Sequence, residues 1–489
     1  MHISIDQSTS STTVFLFDSK LTLLKKISKK HKQIQKKNGW VEHDAEEIYS
    51  NLINLIKKIT TNIIYDNNFF ISITNQRETF VVFDTFTGKP LYNAIVWQCR
   101  RGQNICKNIL RSKYNSKKIK QVTGLEIDTY FPASKLSFLT KKNKKIKKKL
   151  NEGKALFGTI DTYLIYRLTK CNSYATDYTN ASRSLFFDNK KLKWDNNLLK
   201  IFNLKLKKLP KVQESSSIFG YTDCEGILKN KIPIAGVIGD SQSSIFANQC
   251  FAKGDTKITL GTGASILTNI GNKYVIKNNL LTTLSFVYKG KPYYSYECLI
   301  NYAGATISWM KDNLQIINSE KETNNIFAKL NDSNEVYLIP AFVGLSSPHW
   351  LPDSKGMIFG LTPSVNKNHI IIAALQSIAF QIKDYLEDLE KNKNTKYNEI
   401  FIDGGMVNNK SLIQLLSNIL NKKIYISKFE DMSAYGALIM GLLGMNIKKK
   451  LKDVSKFKKK YIEYRPIKNN HDIKIYKKWK QILINHYLK

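Results

Sequence analysis

Between Thr74 and Arg101 the chain reads TNQRETFVVFDTFTGKPLYNAIVWQCRR, and GVIGDSQ follows at 236–242. A short apolar run, Phe69 to Ile73, predicts a strand that delivers Asn75, Gln76, Arg77 and Glu78 at its end. Polar clusters at strand ends are where open α/β sheets bind ligands. Arg77 brings forked donors and Glu78 acceptors, a combination that suits a small molecule covered in hydroxyls. Trp97, on a second strand-like run from Ala94, offers an apolar wall for the carbon side of such a molecule. A surface Arg-Glu ion pair and a core tryptophan would leave the same trace in this stretch.

Two further stretches suit phosphate. Residues 2–6 and 12–17 are apolar, β-rich runs joined by QSTSS, with a third run at 21–28. They predict a hairpin whose turn, with Ser8, Thr9, Ser10 and Ser11, can present N–H and O–H groups to phosphate oxygens. The same residues are ordinary in turns. Asp6, at the end of the first strand, stands where a carboxylate could hold a phosphate-bound Mg²⁺ directly or through water. TKITLGTGASILTNIG, 256–271, repeats the outline of strand, turn and strand. The repetition predicts two halves of like fold, divided near residue 248, each lending a phosphate loop to a shared cleft. In EIFIDGGMVNNKSLIQLLSNIL, 399–420, a strand runs through Asp403-Gly404-Gly405 into a helix. A Gly-Gly turn there brings backbone close to a ligand. This is neither GxGxxG nor GxxxxGK[ST], which excludes the Rossmann and P-loop readings.

The elements that must position these residues are legible in outline. Asp44 caps a helix, with Glu47 three residues on and Ile48, Leu52, Ile56 and Ile59 along one face. GTIDTYLIYRL, 158–168, predicts a strand-to-helix passage, TDYTNASRS, 176–184, a polar loop, and DTYFPASK, 128–135, a loop that presents Tyr130. A long helix carries Ile371, Leu375, Ile378, Ile382, Leu386 and Leu389 on one face.

A chain of 489 residues with 42% hydrophobic content predicts a globular protein of two domains. No uninterrupted apolar run of about 18 residues occurs, so no membrane span is expected. MHISIDQ enters a strand without a charged and apolar leader, which points to the cytosol. The six cysteines form no CxxC pair, which argues against a disulfide scaffold or structural zinc. The net charge of +37 is spread with Asn and Ile over nearly the whole chain, a compositional bias, and no nucleic-acid partner is expected. Lysine runs at 141–149 and 448–460 are punctuated by Ile146, Leu150, Leu451, Val454 and Phe457, as polar helix faces would be. The tail from Lys448 is thus expected to be a packed amphipathic extension.

Assembled, the chain resembles the FGGY family of carbohydrate kinases from Ser4 to about Gly444. The resemblance rests on GWVEHD (39–44), ITNQRET (73–79), GKPLYNAIVWQCRR (88–101), GTIDTYLIY (158–166), TDYTNASR (176–183), LLTT (280–283) and IDGGMVNN (402–409). It implies an α/β fold of two RNase-H-like domains, of the actin and hexokinase type, flanking an active-site cleft. Residues 1–248 would carry the polyol site and first phosphate hairpin. Residues 249–489 would carry the second hairpin, the adenosine site and the basic tail. The motifs are most similar to those of members that phosphorylate glycerol, implying an ATP-dependent, Mg²⁺-assisted route to sn-glycerol 3-phosphate in a cytoplasmic homodimer or homotetramer. Asp240 would be the general base. Glycerol contacts would come from Arg77, Glu78, Trp97, Tyr130, Asp240 and Gln242, and nucleotide contacts from Thr9, Ser10, Ser11, Thr262, Gly304, Gly405 and Asn409. Asp6 would serve the metal.

Several positions depart from that pattern. Ser8 stands where the family has Gly, Thr13 where a phosphate-binding Arg is usual, Ser241 for the first Gln of GDQQ, and Ser308 for a Gln near the nucleotide. Loss of the cation at Thr13 would weaken hold on the terminal phosphate by about 1–3 kcal/mol. Ser265 replaces a Phe that packs on the carbon edge of glycerol, and a smaller polar residue could admit a larger polyol or loosen glycerol. EGILKNKIP, 225–233, lacks the Arg of a regulatory sugar-bisphosphate loop. The alternatives are a kinase for another small polyol or sugar, and a weakened relative kept as a binding protein. Carboxylates retained beside a phosphate loop argue against the latter.

Overall fold

A computed structural model describes the chain apart from residues 36–38, 331, 352, 392–395, 455–460, 469 and 489. Its N-terminal apolar runs pair as a hairpin, His2–Gln7 against Ser11–Phe17, continued by Leu23–Lys30. The lysines of that third strand face outward on an edge, which blunts edge pairing. Ile71–Asn75 and then Ile232–Gly239 add in parallel on the other side of the first strand.

The second half repeats the arrangement. Thr256–Leu260, Ala264–Gly271 and Lys291–Ile300 are antiparallel neighbours, and Ile400–Asp403 and Ile424–Ser427 add in parallel. The five strands named in each half share one order, Ile218–Thr222 and Tyr461–Tyr464 add outside the last of each, and Leu281–Tyr288 adds outside Lys291–Ile300. The halves are thus of like fold, as the repeated hairpins predicted, in the RNase-H-like arrangement that the resemblance implied. A smaller sheet, Gln33–Ile34, Glu42–His43, Ala94–Ile95, Phe80–Asp84 and Ala155–Thr159, sits on the first half with the helices of the 103–152 region.

Local expectations held where the signal was local. Asp44 caps the helix Ala45–Thr60, accepting from Glu46 N and Glu47 N. Glu47 turns away from the cap to accept from Lys32 N. The strand expected at Phe69 to Ile73 lies at Ile71–Asn75, and the one expected from Ala94 spans only Ala94–Ile95. TDYTNASRS is not a polar loop. It forms the strand Ala175–Asp177 and the helix Tyr178–Ala181, and Thr176, Asp177, Thr179, Asn180, Ser182, Arg183 and Ser184 are all buried. Buried polar groups need partners, and Asp177 supplies them, accepting from Thr179 N, Asn180 N and Ser215 Oγ.

One helix crosses between the halves. Met432–Gly444, late in the chain, packs on the first sheet, where a Cβ on Gly236 would fall 2.3 Å from Gly441 N. Only glycine permits backbones so close, and Gly236 also has φ +86°. The tail ends in the helix Asn470–Tyr487, whose Trp479 is buried in the second core and donates to Leu338 O at 2.9 Å. The expected extension is thus packed in its described part, and Phe457 lies outside the described residues.

Candidate active site

Parallel pairing brings three strand ends together. Gln7 and Gly239 both lie beside Asn75, so Asp6, the segment Asn75 to Glu78, and Asp240 converge on one edge of the first sheet. Glu78 is buried with φ +62°, an unusual conformation for a non-glycine residue and one that surrounding structure must hold.

A line of alternating charge runs from Glu78 to Asp240. Arg183 Nε donates to Glu78 Oε1 and its Nη1 to Glu297 Oε2. Arg77 Nη1 lies 2.9 Å from Glu297 Oε1, and Arg77 Nε 3.2 Å from Asp240 Oδ1. The first four side chains are buried, whereas Asp240 is 39% exposed at the start of the helix Asp240–Ala247. Burial raises the pKa of Glu78 against the pull of Arg183 and Arg77. Burial acts likewise on Glu297, but Arg183 and Arg77 outweigh it and hold its carboxyl below the usual range. Gln242 is buried behind Arg77, accepting from its Nη1 at 3.2 Å and donating to Thr283 Oγ1 and Leu284 O. Both ends of its amide are engaged by the protein.

Trp97 and Tyr130 stand as a pair, ring centroids 5.2 Å apart. Trp97 Nε1 donates to Thr9 Oγ1 at 2.9 Å, which ties this aromatic wall to the first hairpin. Lys135 lies beneath, buried, donating to Val96 O, Trp97 O and Tyr130 O at 3.2, 3.1 and 2.9 Å. Burial lowers its pKa to about 8. The Tyr130 phenol is pushed up, first by burial and then by Glu78.

At the first hairpin, Ser8 Oγ donates to Ser11 O, and Ser10 is exposed at the tip. Thr13 shares a hydrogen bond with Ser28 Oγ at 2.9 Å. Asp6 Oδ2 accepts from Ser433 Oγ at 2.7 Å, while Oδ1 is buried without a protein partner. Burial and the nearby Asp240 raise its pKa to about 7. Among the described residues no cluster of three or more His, Cys, Asp or Glu could hold a metal ion unaided.

On the second half, Thr262 is exposed at its hairpin tip, and Gly304 N, opening the helix Gly304–Asp312, donates to Gly261 O at 3.0 Å. A Cβ on Gly405 would meet nothing within 4 Å. Asn409 caps the helix Lys410–Leu420 through Leu412 N and braces Thr323 Oγ1 with its amide nitrogen. Ser308 bonds Gly304 O and Glu320, and the Ser265 hydroxyl is buried without a partner.

Sequence reasoning passed over Arg183, Glu297, Thr283 and Lys135. A signal existed for Glu297, a carboxylate inside the otherwise uncharged run YSYECLI, because a charge in a buried strand needs a partner. Arg183, Thr283 and Lys135 lie within stretches already singled out, but only the fold shows what they touch.

Comparisons with known proteins agree with this fold. Residues 1–247 match the N-terminal domain, and residues 256–445 the C-terminal domain, of the FGGY family of carbohydrate kinases. Glycerol kinase 1 of Thermotoga maritima is 40% identical over 455 residues, 92% of this chain and 92% of that protein. A glycerol kinase of Fusobacterium nucleatum is 40% identical over 91% of this chain and 90% of its own length. A glycerol kinase of Plasmodium falciparum, solved with ADP, superposes with a TM-score of 0.91 at 35% identity, covering 100% of this chain and 98% of that one. Two sheets of one topology, matched along both halves by relatives of nearly full length, leave one conclusion: the chain belongs to the FGGY family of carbohydrate kinases.

Proposed function

We propose that this chain transfers the γ-phosphoryl group of ATP to glycerol, giving sn-glycerol 3-phosphate and ADP. The observation that carries the reading is the convergence of Arg77, Glu78 and Asp240 at two neighbouring strand ends, beside the aromatic pair of Trp97 and Tyr130. The relatives named glycerol kinase support the choice of substrate. Arg77 and Glu78 hold the hydroxyls, and the two rings cover the carbon side. Asp240, the solvent-reaching member of the charge line, accepts the proton of the attacking primary hydroxyl as that oxygen bonds to the γ-phosphorus and the bond to the ADP oxygen breaks. The Arg77 guanidinium keeps the Asp240 carboxylate oriented. Gln242, with its amide engaged, acts by holding Arg77.

Thr9, Ser10 and Ser11 of the first hairpin and Thr262 of the second offer donors to phosphate oxygens. Gly304, Gly405 and Asn409 frame the adenosine side, with open space above Gly405. In this reading residues 1–248 form the polyol domain and 249–489 the adenosine domain. The family's nucleotide chemistry implies Mg²⁺, and the unpartnered Asp6 Oδ1 fits it, as a single carboxylate reaching a metal held mainly by phosphate. Bound there, Mg²⁺ would offset phosphate charge.

A second reading, a kinase for a polyol with one more hydroxyl, is favoured by the unpartnered Ser265 hydroxyl. One assay separates the two: ADP release from Mg-ATP with glycerol, dihydroxyacetone, erythritol, xylulose or no substrate. Glycerol should lead, and Asp240→Asn should lower its turnover by about 10²–10⁴-fold. Erythritol or xylulose outrunning glycerol would move the assignment to the second reading, and no turnover with any polyol would overturn both.

A further inference from the structure

Two buried charges, Arg183 and Glu297, have no part in the chemistry above. A buried ion pair is a poor way to gain stability, since apolar side chains of similar volume serve as well. Their placement gives the reason for them. Arg183, from the TDYTNASR motif, holds Glu78 with one arm and Glu297 with another. Thr283, from the LLTT motif, accepts from Arg183 Nη1 at 3.3 Å and from Gln242 Nε2 at 3.4 Å. Two motifs that the proposed chemistry left unexplained thus meet behind the polyol residues.

Glu297 comes from the strand Lys291–Ile300 of the second half, whereas Arg77, Glu78, Arg183 and Asp240 come from the first. We propose that Glu297, held by Arg183, which Thr283 in turn steadies, is a positioning residue through which the second half sets the polyol site. Its carboxylate shares the Arg77 charge with Asp240. Without it, Arg77 would close on Asp240 and withdraw both the polyol's donor and the base, and Arg183 would lose the partner that fixes its hold on Glu78. Polyol affinity therefore depends on the two halves being together, while the nucleotide contacts do not involve this line.

The inference rests on the glycerol kinase reading, and the test separates the two. In Glu297→Gln, nearly isosteric, the KM for glycerol should rise about tenfold or more while the KM for ATP stays within about twofold. A purely structural role would lower the active fraction, and so kcat, without splitting the two KM values. A glycerol KM within twofold of wild type, or both KM values rising together, overturns the proposal. If Glu297→Gln does not fold, Thr283→Val carries the test. It removes one hydroxyl, and a glycerol KM about threefold higher at steady ATP KM supports the proposal, whereas an unchanged one overturns it. A wild type inactive on glycerol overturns the substrate reading instead, and the same split is then read with the polyol that does turn over.

Discussion

The two phosphate hairpins share one strand pattern and differ in what holds their tips. In the first, Gln7 Nε2 and Gln76 Nε2 both donate to Ser8 O, at 2.9 and 3.2 Å. His31 donates through Nε2 to Thr9 O and through its backbone N to Ser10 O, and Trp97 donates to Thr9 Oγ1. Among the described residues the second tip, Gly261 to Gly263, is held by backbone, with Ala303 N and Ala305 N donating to Thr262 O at 3.1 and 2.9 Å. Side chains thus fasten the first hairpin to the aromatic pair of Trp97 and Tyr130, and backbone fastens the second to the helix that opens at Gly304. In-line transfer needs the attacking oxygen and the phosphate in one frame, and in the proposed function the first hairpin would supply that frame. On the same proposal the second would need only close approach of backbone to the nucleotide.

The comparison breaks hardest at Gly404. Its φ of +99° and a Cβ that would lie 2.3 Å from Leu260 O leave no room for a side chain under the second hairpin. Gly404→Ala should cost about 3–5 kcal/mol in urea unfolding and abolish ADP binding, whereas Ser8→Ala at the first tip should cost about 1 kcal/mol or less. A Gly404→Ala protein as stable as wild type would show that the second hairpin tolerates displacement.

Only the first hairpin is backed by a histidine pair, His31 and His43, among the described residues. His31 and His43 lie with ring centroids 4.6 Å apart, and burial, with His31 adding to it, lowers the His43 pKa to about 3. The unfolded chain therefore takes up this proton first as pH falls below about 6.5, so the stability is full above that pH and drains away towards pH 3. Between pH 7 and 5, wild type should lose about 2 kcal/mol more than His43→Phe in chemical melts. Parallel losses in the two proteins would acquit His43.

Trp97→Phe keeps an aromatic face and deletes the N–H to Thr9 together with the rest of the indole. It should raise the KM for glycerol and for ATP together by about three- to tenfold, because the bond joins the two sites. A change confined to glycerol would mean the hairpin holds its place without Trp97. The smallest effect is expected at the second tip. Thr262→Ala, at an exposed hydroxyl, should raise the KM for ATP by no more than about threefold and leave that for glycerol unchanged.

Much of this was legible beforehand. The hairpins, the Asp44 cap, the polar strand end at Asn75 to Glu78 and the Gly-Gly turn all carry signals within a few residues, namely alternation, capping types and turn types. Where the signal was composition alone it misled: TDYTNASRS reads as a polar loop and is instead a short strand and helix with a buried network around Asp177. Gln242 lies two residues from Asp240 in sequence, yet its amide is engaged behind Arg77.

The amino-acid sequence by itself determined the elements, the doubled topology and the kinds of side chain at each strand end, because backbone preference and hydrophobic period are local quantities. Tertiary structure alone decided that Glu297 meets Arg77 and Arg183, and that the helix Met432–Gly444 lies on the first sheet. A buried charge demands some partner, but which one depends on the faces two distant strands present to each other. That is settled only when both halves have packed.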